Sequence, residues 1–183
     1  MRYYHPRRSF TLIELIIVMV IVGILVAVSI PNISVFSLIK FSSAGKKVLA
    51  DIRYAQSMAL SRHSYTALQF VNNTEKYNGY ICTAANCVPM SSYVSNWAVL
   101  ADPLSGGQAG VSFASDSQYR GVDVYNAAVG NGNSVIFDPT GSPLDMDGSS
   151  LTSNGLITLR YAGEEIVFNI TPRTGKVYAQ QSF

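Results

Sequence analysis

The stretch SFTLIELIIVMVIVGILVAVSIP, Ser9 to Pro31, decides how this chain is read. Glu14 is its only ionisable residue, and no charge interrupts Leu15 to Ile30. Phe10 to Ile30 is 21 residues, roughly 31 Å of α-helix, which matches the hydrocarbon core of a bilayer. Arg2, Arg7 and Arg8 precede it. Positive charge ahead of an apolar span holds the short N-terminal segment in the cytoplasm and sends the remainder across. A secretory signal peptide is the rival reading, with Ala27-Val28-Ser29 as a small-residue cleavage site. The run is longer than an ordinary signal core, and such a core has no use for Glu14.

A carboxylate in the bilayer costs a few kcal/mol and normally has a partner. No Lys, Arg or His inside the run supplies one. A chain cut just before Phe10 would place a new amine about one helical turn from Glu14, on the same chain or on a neighbour. An amine from a neighbour would neutralise the acid only on assembly, making Glu14 a registry device for helix packing.

The 152 residues after Pro31 are enough for one domain with its own core. The formal charge is +2, from 13 basic and 11 acidic residues; once Arg2, Arg7, Arg8 and Glu14 are set aside, ten of each sign remain beyond Pro31. A globally basic nucleic-acid surface is not indicated.

After Pro31 the pattern becomes periodic. Phe41, Gly45, Val48, Ile52, Ala55 and Ala59 recur at three- and four-residue steps, one face of an amphipathic helix running to about Arg62. Lys46 and Arg53 fall on the opposite side; Lys40, Lys47 and Arg62 flank the stripe. These cations read as a solvated face, with phosphate contact as the alternative. Pro31 removes a backbone donor and interrupts or bends the line of the two helical halves.

From Ser64 onward short β-type runs take over: Tyr65–Val71, Tyr77–Thr83, Trp97–Ala101, Val122–Tyr125 and Ser134–Phe137. Gly155–Tyr161 and Glu164–Ile170 alternate and are joined by Ala162-Gly163, a two-residue hairpin connection. Thr174–Ala179 offers a last strand after a turn at Pro172. Residues 84–96, 103–110 and 138–154 read as loops. The expected fold is α+β: a long N-terminal helix, half membrane and half amphipathic, packed against an antiparallel β domain.

Candidate chemistry is sparse. Cys82 and Cys87 enclose only TAAN. In an oxidising compartment they are expected to form a disulfide; two free thiols in a reducing one are the alternative. Two Cys with no nearby His do not complete a metal shell. His63 stands alone at the helix end, where a dipole role suits it, and no nucleophile elbow is present. Glu164 and Glu165 are adjacent on a strand and face opposite ways. Asp138, Asp145 and Asp147 carry oxygens for Ca²⁺ but lack EF-hand spacing, so a solvated turn is the plainer reading. Neither an enzyme nor a cofactor or metal site is expected.

RRSFTLIELIIVMVIVGILVAVSIP resembles the leader and helix of type IV pilins and type II secretion pseudopilins. The resemblance implies a leader, residues 1–9, removed by prepilin peptidase between Ser9 and Phe10, with Ser9 standing where the family usually has Gly. It implies N-methylation of Phe10, pairing of Glu14 with an adjacent subunit's terminal amine, and a helix kink at Pro31. LADIRYAQSMALSRHSYTALQF (Leu49–Phe70), NWAVLADP (Asn96–Pro103), VIFDPTGSP (Val135–Pro143) and RTGKVYA (Arg173–Ala179) are similar to the GspH/FimT family of minor pilins and pseudopilins. That implies four parts: leader 1–9, membrane and filament-core helix 10–31, amphipathic helix 32–63, and exported β domain 64–183. It implies a single-pass inner-membrane protein, its C-terminal domain periplasmic, that enters a filament with other pilin or pseudopilin subunits. A minor pilin that initiates or caps a type IV pilus is the first expectation. A short cystine loop near the second strand resembles pilus-type members. A type II secretion pseudopilin of the protein H type is the alternative. A DNA-binding minor pilin for transformation is the second: Gly175, Lys176, Val177 and Tyr178 align with a Gly-Arg-x-Arg motif, with Lys for the first Arg and Tyr for the second. Arg173 and Lys176 are the candidate DNA contacts.

Overall fold

The computed structural model describes residues 10–28, 33–103 and 106–182. Two helices come first, α1 (Leu12–Val28) and α2 (Ile33–Arg62). Pro31, the expected kink, lies outside the described residues, as do Ser9 and the rest of the expected leader. The chain divides into two compact units between Ser37 and Leu38.

The first unit contains α1, which is exposed along its length from Phe10 to Ala27. Thr11 starts it: its Oγ1 accepts the Glu14 N–H at 3.3 Å. Thr11-x-x-Glu14 is the sequence of a capping box, a signal the sequence reading did not use. Among the described residues no helix is long and apolar enough to cross a membrane. The cap sets the start of α1 two residues into the predicted run, and its 17 residues span about 26 Å.

In the second unit, α2 buries the stripe its periodicity predicts. Phe41, Val48, Ile52, Ala55 and Ala59 are fully buried, while Lys46 and Arg53 are exposed. The helix ends at Arg62 because His63 turns left-handed (φ 47°) and the Ser64 N–H returns to the Ala59 carbonyl at 3.3 Å, a Schellman closure with His in place of the usual Gly.

Among the described residues ten strands follow, in two antiparallel sheets. They are β1 (Thr66–Phe70), β2 (Lys76–Cys82), β3 (Trp97–Val99), β4 (Gly110–Ser112), β5 (Asp123–Ala128), β6 (Ser134–Phe137), β7 (Pro143–Leu144), β8 (Gly155–Tyr161), β9 (Glu164–Ile170) and β10 (Val177–Ser182). The larger sheet runs β3-β2-β1-β6-β7 with β4 also on β2; the smaller runs β10-β9-β8-β5. The α2 stripe joins Leu68, Phe70 and Phe137 of the larger sheet and Ile157, Leu159 and Phe168 of the smaller in one core. Ala67 and Ile136 point the other way, as alternation requires, and meet Met90, Val88 and Trp97 in a second, smaller core.

Strands β6, β8 and β9 match the predicted runs, and Ala162 and Gly163 both take positive φ (51° and 92°), as a type I′ hairpin turn needs. The loop readings need correction: β4 starts at Gly110, and β7 sits inside residues 138–154. Strand β5 extends to Ala128, past the expected Tyr125, and carries an irregularity between Val124 and Asn126. Such short or bulged segments have too few residues for an alternating signal.

Candidate functional site

The first candidate is the start of α1. Phe10 is exposed, ahead of the helix. Glu14 occupies the third helical position, where an acid also complements the positive end of the helix dipole. It is exposed and makes no ion pair among the described residues. Every residue from Leu15 to Ala27 is exposed too. A contiguous apolar surface of this size, exposed from Leu15 to Ala27, is of the kind that marks an interaction site for lipid or protein.

The second is the segment from Cys82 to Trp97. Cys82 and Cys87 are joined in a disulfide, with Cα atoms 6.0 Å apart. The Trp97 Nε1–H donates to the Cys87 carbonyl at 3.1 Å, and the Asn96 amide donates to the Asn86 carbonyl at 2.6 Å. The Met90 N–H donates to the Met146 carbonyl at 3.0 Å. The predicted loop 84–96 is therefore a fastened cover over the outer face of the larger sheet.

The third is the turn before β10. Thr171 accepts from the Gly175 N–H at 3.0 Å and donates to the Lys176 carbonyl at 2.9 Å, a bulged turn with Gly175 left-handed (φ 62°). A Cβ on Gly175 would stand 2.6 Å from the Gln56 amide nitrogen and 3.0 Å from the Phe137 ring. This glycine is held by close packing on α2 as well as by its φ. Gln56 donates from Nε2 to the Gly141 carbonyl at 2.8 Å and the Thr174 carbonyl at 2.9 Å. Arg173 and Lys176 share this turn, exposed, and neither is in an ion pair among the described residues.

The other cations of α2 are partly committed. Lys40 donates to the Arg120 carbonyl at 2.9 Å and lies 5.7 Å from the centre of the Tyr161 ring. Lys47 pairs with Asp51 at 2.7 Å and with Asp102 at 3.4 Å. Asp51 is buried and also accepts the Tyr77 hydroxyl at 2.7 Å. Burial and the Asp51 charge push the Tyr77 hydroxyl well above its ordinary value. Burial draws the Lys47 ammonium down, but the bond and charge of Asp51, together with Asp102, hold it above its usual value. The sequence reading passed over this network. Its signal was an acid three residues after Val48, on the stripe, with a Lys one turn earlier.

The acidic run forms two copies of one turn. Asp138 Oδ1 accepts the Thr140 N–H at 2.8 Å and the Ser142 N–H at 2.9 Å. Asp145 Oδ1 accepts the Asp147 N–H at 3.1 Å and the Ser149 N–H at 2.8 Å. These oxygens close Asp-x-x-Gly-Ser turns, and Asp147 accepts from the Asn131 amide. Among the described residues no group of three His, Cys, Asp or Glu side chains is placed to hold a metal.

An apolar helix headed by one acid, followed by a helix whose buried stripe supports antiparallel sheets, defines a pilin-type subunit. Residues 5–30 match the prokaryotic N-terminal methylation motif, and residues 44–173 match the type II transport protein GspH family. The chain belongs to the GspH family, whose pilin and pseudopilin members are structural subunits that assemble with others of their kind. Neither curated proteins nor solved structures gave a match.

Proposed function

We propose that this chain is a minor subunit of a type IV pilus that helps to start or cap the filament. The observation that carries the reading is α1: exposed from Phe10 to Ala27, apolar, and headed by a single acid with no ion pair among the described residues. In this reading prepilin peptidase cuts between Ser9 and Phe10 on the cytoplasmic side, and Phe10 is N-methylated. Residues 10–31 anchor the chain in the inner membrane and later form the filament core. Residues 32–63 support a periplasmic β domain, residues 64–183. Glu14 pays the bilayer cost while alone and is neutralised by a neighbour's amine on docking.

The capping position of Glu14 suggests how to separate its two roles. Gln serves a capping box as Glu does but carries no charge. Glu14→Gln is expected to keep α1 helical and to drop out of filaments, read by subunit content of sheared filaments against membrane content. Normal incorporation of Glu14→Gln would refute the pairing role.

Two other readings rest on particular observations. The family match to a type II transport protein favours a pseudopilin of a secretion machine. Deleting the gene and scoring surface pili and type II secretion in one strain separates it from the pilus reading. The exposed pair Arg173 and Lys176 favours DNA binding. A real site there loses affinity steeply with salt, and Lys176→Ala would flatten that dependence.

A further inference from the structure

The two sheets have four edges, and three are blunted. On one side of the larger sheet β3 and β4 are three residues each. On the other side β7 is two residues and begins with Pro143. In the smaller sheet β5 carries an irregularity and begins with Asp123. Short strands, Pro, bulges and charges are the devices that keep an edge from pairing. The fourth edge, β10, has none of them. It reads VYAQQS, six residues without charge, Pro or Gly, in unbroken register with β9 from Val177 opposite Ile170 to Ser182 opposite Glu165.

The orientation of its backbone follows from the turn. Lys176 is hydrogen-bonded to Thr171, so in an antiparallel ladder Tyr178, Gln180 and Ser182 bond β9. Val177, Ala179 and Gln181 then direct their N–H and C=O groups to the free edge. Beside that edge lies a groove of about 190 Å³ between α2 and the sheet, lined by Ser42, Gly45, Lys46, Leu49, Ile166 and Ala179. Its floor depends on a glycine: a Cβ on Gly45 would stand 2.8 Å from Ile166 Cδ1. Lys46 at the rim is exposed and in no ion pair among the described residues.

We infer that β10 is a strand-addition site for an extended segment of another protein. The segment pairs its backbone with Val177, Ala179 and Gln181, puts an apolar side chain into the groove, and sets a carboxylate against Lys46. A second copy is the poorer occupant, because pairing β10 with itself brings two Lys46 side chains toward one junction. The proposal rests on the edge and the groove alone and stands whichever filament the chain joins.

The test uses the full chain in detergent micelles, isotope-labelled, and two blocked octapeptides, TVTVDVTV and TVTVKVTV. The acidic peptide is expected to shift the amide signals of Val177, Ala179 and Gln181 and to bind up to about fivefold tighter than the basic one. Lys46→Glu is expected to reverse that preference. Ala179→Pro removes a free-edge donor without taking a bond from β9, and is expected to lose binding at least about tenfold, roughly one hydrogen bond's worth. The proposal is overturned if neither peptide shifts these amides at millimolar concentration, or if binding survives Ala179→Pro. It is also overturned if these amides are already protected from exchange by self-association before any peptide is added.

Discussion

The two helices each carry one acid, and the acids have opposite surroundings. Asp51 of α2 is buried, with Lys47 and Tyr77 on its two oxygens. Glu14 of α1 is exposed, with no ion pair among the described residues. The apolar residues divide the same way: α2 hides one face, and α1 hides nothing from Phe10 to Ala27. A periodic helix satisfies its apolar groups and its charge within its own fold. A uniformly apolar helix has no preferred face to hide, and both its surface and its charge stay exposed.

That contrast can be broken at several points. The largest effect is expected from Phe41→Ala, which empties a fully buried site and should cost about 3–5 kcal/mol of β-domain stability, measured by denaturant unfolding in micelles. A loss no larger than that from Ile17→Ala in α1 would show that the stripe does not hold the domain.

Asp51→Asn should cost about 2 kcal/mol, and it sharpens the contrast through pH. Tyr77 and Lys47 are both held above their ordinary values of 10.0 and 10.5. Groups with raised folded values contribute fully below their unfolded values and lose that contribution as pH rises through the folded ones. The midpoint of thermal unfolding should therefore fall as pH climbs above about 10, and Asp51→Asn should make the fall shallower. An unchanged slope would remove Asp51 as its cause.

The smallest effect belongs to α1. Ile17→Ala and Glu14→Gln should each leave β-domain stability within about 0.5 kcal/mol, even where incorporation into filaments is lost. A stability change as large as that of Asp51→Asn would mean that α1 has a partner within its own chain.

Much of this was legible in the sequence. The α2 stripe was readable because packing repeats every turn, and β8 and β9 because alternation over seven residues joined by Ala162-Gly163 leaves little choice. The pairing of β1 with β6, Thr66 opposite Phe137, was not. It joins segments some seventy residues apart, and no local pattern encodes a distant neighbour. The division into two sheets was hidden for the same reason. Of the candidate residues, Cys82 and Cys87 were legible from spacing and compartment. Asp51 was not, because a lone acid on a helix is ordinarily solvated and only the fold brings Tyr77 to it. Gly175 was noticed for a motif, while its packing against Gln56 needed the third dimension.

Gln56 has a consequence for the order of events in folding. Its one amide fastens carbonyls 85 and 118 residues further along the chain. A chain made from its N-terminus completes α2 long before Gly141 and Thr174 exist, so the helix waits with a donor unused and a face uncovered. The domain cannot close until its last hairpin arrives. Contacts this far apart in sequence raise the contact order, which slows folding.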